Sequence, residues 1–451
     1  MNRFWAISFR NLRRNLKRNL ATGSAIALGF AGIVLLGGYV NRVTNYLRVH
    51  TVYVLHTGHF AIFPKDGFEK FSHKPKSYSL SSEDQGVVVR ILTEDLNVDF
   101  FERQLQGSGL VGNGCLSFPF LAQGIEPKID QRMREHPEVL KWVPKLRTFL
   151  RGRGLWSFEE KLGPIALSVG LARALGKNAL HDEVADARPV LANCSDPSAK
   201  ESFGKDANVQ LLSGTWAGSM GAIDGEVVAH FSTGFQESDN AALFLPVSRL
   251  QRLLDTENVS RVSVWLKDPA KLRETMERVS GKLRAQGRHY DLLRWNEERL
   301  SPYYVGTVQF LDSMVGFLGA VLAAVIAFSV LNSTTMTMLE RSQEIGMYRS
   351  LGFRRKQVSA LFVWEAFWLT SIGLVAGSLL GRGSVALINW ARIIYHPPGV
   401  TGGLPLVLIP SAAYGALGAV VILALTLGAS YLAVASRMRS RVVELLGGTK
   451  R

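Results

Sequence analysis

Residues 340–353 read Glu340-Arg341-Ser342-Gln343-Glu344-Ile345-Gly346-Met347-Tyr348-Arg349-Ser350-Leu351-Gly352-Phe353, a charged segment between two apolar stretches. The stretch before it, Ser313 to Leu339, runs 27 residues without a charge. The stretch after it, Val358 to Gly381, runs 24 residues with one charge, Glu365. A helix of about 20 apolar residues crosses a bilayer core, so each stretch is long enough to span. A short charged loop with two glycines between two spans makes a contact platform at a membrane surface. That arrangement favours a transport or signalling machine over a soluble enzyme.

Two more candidate spans lie outward from this centre. Leu20–Val40 gives 21 uncharged residues, and Leu404–Ser436 gives 33. Pro405 and Pro410 sit early in the latter, so its helix is expected from about Ser411. The expected order is a cytoplasmic amphipathic helix at 1–19, a span at 20–40, and a large domain at 41–303. Spans at 313–339 and 358–381 then flank a cytoplasmic loop at 340–356. An outer loop at 382–403, a span at 411–436 and a cytoplasmic tail at 437–451 complete the chain. The fold class is an α-helical membrane protein with four transmembrane helices plus a large mixed α/β extracytoplasmic domain.

Charge orients this arrangement. Residues 1–19, 340–356 and 437–451 together carry 16 basic and three acidic side chains, so they hold +13 of the chain's +15. Four spans put all three segments on one side, and the positive-inside rule makes that side cytoplasmic. The same distribution argues against nucleic acid as the partner, because the charge is juxtamembrane, where anionic lipid headgroups lie. Trp5, Phe9, Leu12 and Leu16 recur at helical spacing before the first span, the pattern of a helix lying in the interface. The apolar core at 20–40 is too long for a cleaved signal peptide and reads as an anchor.

The domain reads as mixed α/β. Gly58–Phe63 is an expected first strand, and Ser82–Gln104 is an expected helix opened by Ser81-Ser82-Glu83-Asp84. Leu110–Gly124 suggests strands. Val209–Leu245 suggests several more, with turns at Ser213-Gly214 and Ala217-Gly218. Arg261–Leu266, Asp268–Ala285 and His289–Leu293 read as strand, helix and strand. Two subdomains are expected, with a β-rich insert at about 150–245. Cys115 and Cys194 both fall in this domain, where an oxidising compartment permits a disulfide. Two buried thiols are the other reading.

The loop and third span resemble the FtsX/MacB-type permeases of ABC transporters, the type VII or mechanotransmission class. The residues that carry the likeness are Glu344-Ile345-Gly346, Arg349-Ser350-Leu351-Gly352, Glu365, Gly373, Gly377 and Gly381. In the domain, Gly170–Gly176, Val227–Gly234 and Leu245-Pro246 are similar to family segments, and Thr57-Gly58-His59 is closest to the lipoprotein-releasing LolC/LolE branch. The tail departs from many relatives: Val442–Gly447 lacks the family's Pro and Arg.

The resemblance implies a MacB-like periplasmic domain in a multi-pass protein of the bacterial inner membrane. It implies an ABC ATPase dimer as partner, holding ATP and Mg, with no cofactor bound and no catalysis carried out by this chain. It also implies a second permease copy or a paralogue, contact with membrane lipid, and a periplasmic carrier or adaptor. A helix over 340–350 would be gripped by the ATPase through Glu340, Arg341, Glu344, Ile345, Gly346, Arg349, Leu351 and Gly352. Gly373, Gly377 and Gly381 lie four apart on one helix face, as do Ala21, Ala25 and Gly29, and such small-residue faces suit a permease dimer or packing within one subunit. Glu365 is an intramembrane acid, expected to pair with a basic residue near the headgroups such as Arg354 or Lys356, with contact to substrate as the other reading.

Other motifs are weaker. Gly170–Lys177 has the wrong spacing for a phosphate loop, and Asn178 stands where Ser or Thr is needed. His56 and His59 have metal-like spacing, but strand alternation puts them on opposite faces. Two function classes follow: a transport subunit extracting or exporting a lipoprotein or another lipophilic substrate, with tripartite drug or peptide efflux as the alternative, and a non-transport mechanical or sensory module.

Overall fold

The computed structural model describes residues 16–143, 150–183, 206–396 and 403–437. The expected amphipathic helix falls mostly outside them, as do Cys194 and most of the tail. The chain divides into two compact units, a helical one and an α/β domain spanning Asn45–Gly306.

The first helix, α1 (Leu16–Val49), runs past the expected end of its span and passes into a π-helical turn at His50–Val54. The domain follows. Strand β1 (Phe60–Pro64) precedes helix α2 (Ser82–Thr93), whose start is fixed by a capping box between Ser81 and Asp84. The expected helix over 82–104 ends at Thr93. Asp95 accepts the backbone N–H of Asn97 at 3.0 Å, a turn that stops the helix, and Val98 and Phe100 then alternate inward as strand.

Strand β2 (Val98–Gly112) is the spine of the domain. Its first half pairs with β9 (Arg261–Leu266), which also pairs with β1; β1 in turn pairs with β10 (Tyr290–Arg294). Here α2 and a second helix, α6 (Leu272–Ala285), bury Val88, Ile91, Leu92, Val279 and Leu283 on Phe60, Ile62, Val262 and Val264.

The second half of β2 pairs with β3 (Ser117–Ile125) and with β6 (Asn208–Gly214). The sheet continues through β8 (Ala242–Pro246), β5 (Pro164–Ser168) and β7 (Met220–Phe231), ending on β4 (Arg151–Gly152). Helices α4 (Val169–Leu175) and α5 (Val247–Leu254) close its core through Leu171, Leu175, Leu250 and Leu253. The β-rich half is therefore not an insert of 150–245: it begins inside β2, near Leu105. Ser213 and Gly214 are not a turn but the end of β6, paired with Gly221 and Met220. The single turn between β6 and β7 is at 215–219, where Gly218 takes φ +91°. A further helix, α3 (Pro127–Arg134), follows β3.

The helical unit resumes with α7 (Pro302–Glu340), α8 (Ser342–Ser350), α9 (Arg355–Ala391) and α10 (Ala412–Arg437). Among the described residues, four segments are long and apolar enough to cross a membrane: Lys17–Val54, Pro302–Glu340, Arg355–Ala391 and Ala412–Ser436. The expected outer loop at 382–403 is helical as far as Ala391. Asn389 pins the entry to α10 by donating to Leu408 O and accepting from Leu408 N, each at 2.9 Å. Ile26, Phe30, Val34, Ile326, Val330 and Ile422 form the centre of the bundle.

Candidate functional site

The chain leaves α7 at Glu340, turns at Arg341 and enters the short helix α8. Ile345 is 2 % exposed and packs with Met338, Val358, Phe362 and Val434. One face of α8 is thereby held on the bundle. The opposite face carries Gln343 and Met347, followed by Leu351 and Phe353; Met347 is 50 % and Leu351 69 % exposed. The helix closes in a Schellman motif: Phe353 N–H reaches Tyr348 O and Gly352 N–H reaches Arg349 O, each at 3.1 Å. Gly352 takes φ +89°, a conformation that costs glycine little.

Two ion pairs anchor the turn. Arg341 Nη1 donates to Glu365 Oε1 at 3.0 Å, with both side chains largely buried. Arg18 donates to Glu340 Oε2 at 2.7 Å and to Thr337 Oγ1 at 2.6 Å. Arg18, Thr337, Arg341 and Glu365, with Asn19, Thr22, Ser333 and Thr334, line a small crevice of about 30 Å³ that Val330, Phe362, Ala366 and Leu369 complete. The expected partners of Glu365, Arg354 and Lys356, are both exposed, at the start of α9; Arg341 takes that role instead.

Several residues expected to face an ATPase face inward. Arg341, Ile345 and Gly346 are buried, because α8 lies with that edge on the bundle. Glu344 and Arg349 are half-buried, Glu340 is exposed but paired with Arg18, and Leu351 and Gly352 are exposed. Met347 and Phe353, which the motif did not single out, join Leu351 on the outer side. Their only sequence signal is apolar character within a charged loop. Arg18 lies 322 residues from Glu340, beyond any local pattern.

The glycine stripe of α9 packs within the chain. A Cβ on Gly373 would stand 2.8 Å from Ile26 Cγ2, one on Gly377 2.5 Å from Ala27 O, and one on Gly381 2.9 Å from Val34 Cβ. The helices approach closely because those side chains are missing. The Ala25 and Gly29 face points elsewhere: a Cβ on Gly29 would stand 2.6 Å from Ile326 Cδ1 of α7, while Ala25 is half-buried and Ala21 exposed.

In the domain, Gly170–Gly176 belongs to α4 and its cap, and the buried Lys177 pairs with Asp206. His56 faces Glu102 and Asp130, whereas His59 Nδ1 accepts the N–H of Leu266 at 3.0 Å. Burial pushes the His59 imidazole down to about 3. Among the described residues no group of three His, Cys, Asp or Glu could hold a metal. Cys115 is disulfide-bonded, and Cys194 lies outside the described residues.

The FtsX-like permease C-terminal family matches residues 316–441, which take in α8 and its Arg341–Glu365 anchor on α9. A pyoverdine export ATP-binding/permease protein, PvdT of Pseudomonas fluorescens Pf0-1, is 27 % identical over 190 residues, covering 41 % of this chain and 28 % of that protein. A macrolide export ATP-binding/permease protein, MacB of Bradyrhizobium diazoefficiens, is 24 % identical over 195 residues, covering 43 % and 30 %. The chain spans less than a third of the length of these curated relatives. Among solved structures, the periplasmic region of MacB from Actinobacillus actinomycetemcomitans matches with 13 % identity and a TM-score of 0.32, over 52 % of this chain and 88 % of that one. The extracellular domain of YknZ, a noncanonic ABC-type transporter from Gram-positive bacteria, matches with 14 % identity and a TM-score of 0.29, over 52 % and 100 %. Residues 316–441 are thus similar to the C-terminal domain of FtsX-like permeases, and the chain resembles the permease portion of export proteins of the MacB and PvdT kind.

Proposed function

We propose that this chain is the permease subunit of an ABC transporter and that a separate ATPase, holding ATP and Mg, drives it by gripping α8. The observation that carries the reading is the outer side of α8. Met347, Leu351 and Phe353 form an exposed apolar patch on a short helix whose other face is fixed by Ile345. Such a patch, rimmed by charge, suits a protein partner. The anchors at Arg341–Glu365 and Arg18–Glu340 tie the turn to α9 and α1, so a push on α8 reaches both.

On this reading the protein sits in a bacterial inner membrane with α8 in the cytoplasm and the α/β domain in the periplasm. Helix motion drives the domain, which extracts or expels a lipoprotein or another lipophilic substrate. It works with a second permease copy or paralogue and a periplasmic carrier or adaptor. A second reading, small-molecule efflux, is favoured by the names of the relatives, which export pyoverdine and macrolides. The test is co-expression with a candidate ATPase, followed by co-purification and ATP hydrolysis. Met347→Glu with Leu351→Glu, and separately Glu344→Lys, should abolish or reduce both while leaving the permease inserted. Wild-type association in the double variant removes α8 from the interface.

A further inference from the structure

The last residues of α1 do not simply tether the domain; the chain after them is built into it. Within the domain, His50, Thr51, Val52, Tyr53, His56, Thr57 and His59 are each under 9 % exposed. The backbone of this stretch is held throughout. Trp265 Nε1 donates to Val52 O at 3.0 Å, Gln104 Nε2 to His56 O at 2.7 Å, and His59 N to Val264 O at 2.7 Å. A π-helical turn at 50–54 and a left-handed His56, φ +55°, are two uncommon conformations within seven residues. Such features persist where the surroundings over-determine them, and they cluster at working parts of proteins.

His56 is what the surroundings grip. Its Nδ1 lies 2.9 Å from Glu102 Oε2 on β2, and its Nε2 lies 3.3 Å from Asp130 Oδ1 on α3. Both ring nitrogens therefore face carboxylates. A neutral imidazole donates from one nitrogen only and turns a lone pair toward the other carboxylate; the imidazolium donates to both. Other groups also meet these carboxylates: Gln104 Nε2 donates to the same Glu102 Oε2, at 2.5 Å. Arg134 on α3 pairs with Asp130 at 2.8 Å, Arg261 on β9 donates to Gln104 Oε1 at 2.7 Å, and the Phe244 ring of β8 lies 5.6 Å away. Glu102 also accepts the backbone N–H of Glu126, which ties in the approach to α3.

We propose that His56, Glu102 and Asp130 form a proton-dependent clamp that locks residues 50–59, the stretch that follows the first helix, into the α/β domain. With the proton present, three elements converge on one cation and the stretch 50–59 is rigid. Without it, two buried carboxylates lose their shared donor and the stretch loosens. Burial alone would lower the His56 pKa, but Glu102 and Asp130 outweigh it and raise it from 6.5 to about 9. A raised folded-state pKa contributes stability that is complete below 6.5 and lost as pH climbs through 9. The clamp is therefore closed at neutral pH and opens under alkaline conditions. It stands independently of the driving partner and of the substrate.

The experiment is amide hydrogen exchange on the full chain in lipid nanodiscs at pH 6.5, 7.5, 8.5 and 9.5, corrected for the intrinsic pH dependence of exchange. Protection of residues 50–59 should fall on the order of tenfold or more across that range, while α6 stays protected. In Glu102→Gln the fall should begin at lower pH, because the carboxylate that most favours the imidazolium is gone. In His56→Gln the protection should be low and flat. Constant protection of 50–59 in the wild-type protein overturns the clamp, as does an unshifted fall in Glu102→Gln. The wild-type titration and Glu102→Gln decide the matter even if His56→Gln does not fold.

Discussion

Arg341 Nη1 lies 3.0 Å from Glu365 Oε1, joining the turn before α8 to the body of α9 across 24 residues of sequence. The side chains are 9 % and 14 % exposed, so each charge sits where the loss of an ionic partner is costly. Breaking a buried pair by removing one partner costs about 3–5 kcal/mol, whereas replacing both with apolar residues of similar volume is often close to neutral. Arg341→Met and Glu365→Leu singly should therefore lower thermal stability sharply in detergent, and the double variant should recover much of the loss. A double variant as unstable as the sum of the two would show that the residues do not act as a pair.

The glycine stripe gives a sharper steric prediction. Gly377→Val places carbon against Ala27 O and Ala27 Cα, backbone atoms of α1 that cannot swing aside. Overpacking of this kind costs about 1–3 kcal/mol. A methyl group on Gly383, in the same helix, would meet nothing within 4 Å, so Gly383→Ala should be neutral or slightly stabilising through helix propensity. Unfolding midpoints of the two variants, measured side by side, check the contrast. Equal midpoints would mean that α1 and α9 do not approach as closely as the stripe requires.

Much of the architecture was legible because its signals are local. A run of apolar residues announces a span without reference to any other part of the chain, and Ser81 with Asp84 announces a helix start within four residues. The strands of the domain were partly legible for the same reason. The assembly was not, because β2 changes partners along its length: it pairs with β9 at one end and with β3 and β6 at the other. No pattern within residues 98–112 encodes that division. The site divides in the same way. The motif at 344–352 marked the right segment, but which side of α8 turns outward depends on Met338, Val358, Phe362 and Val434 from three other helices. His56 and Glu102 are 46 residues apart in sequence, and the metal-like spacing of His56 and His59 concealed the carboxylates that His56 faces.

Topology is testable by labelling one position in each of the domain and α8. Ser238 is exposed in the domain and Ser342 is half-buried at the start of α8. In a background without Cys115 and Cys194, Ser238→Cys should react with an impermeant maleimide in intact spheroplasts. Ser342→Cys should react only after the membrane is opened. Labelling of position 342 in intact cells would reverse the orientation drawn from the basic segments.

Gly352 separates the shape of α8 from its chemistry. Its φ of +89° is costly for any residue with a Cβ, yet the space around it is open, so Gly352→Ala adds backbone strain and no clash. The cost should be about 1–2 kcal/mol, confined to the Schellman turn that places Phe353. Because Ile345 still anchors the helix, the bundle should stay folded and its unfolding midpoint should shift little. The turn itself should fray, moving Leu351 and Phe353 off the outer side of α8. Association with the proposed ATPase partner should then fall several-fold while insertion and helix content are unchanged. An alanine variant that binds the ATPase as the wild type does would place the grip on Met347 and the helix proper, with the turn beyond it dispensable.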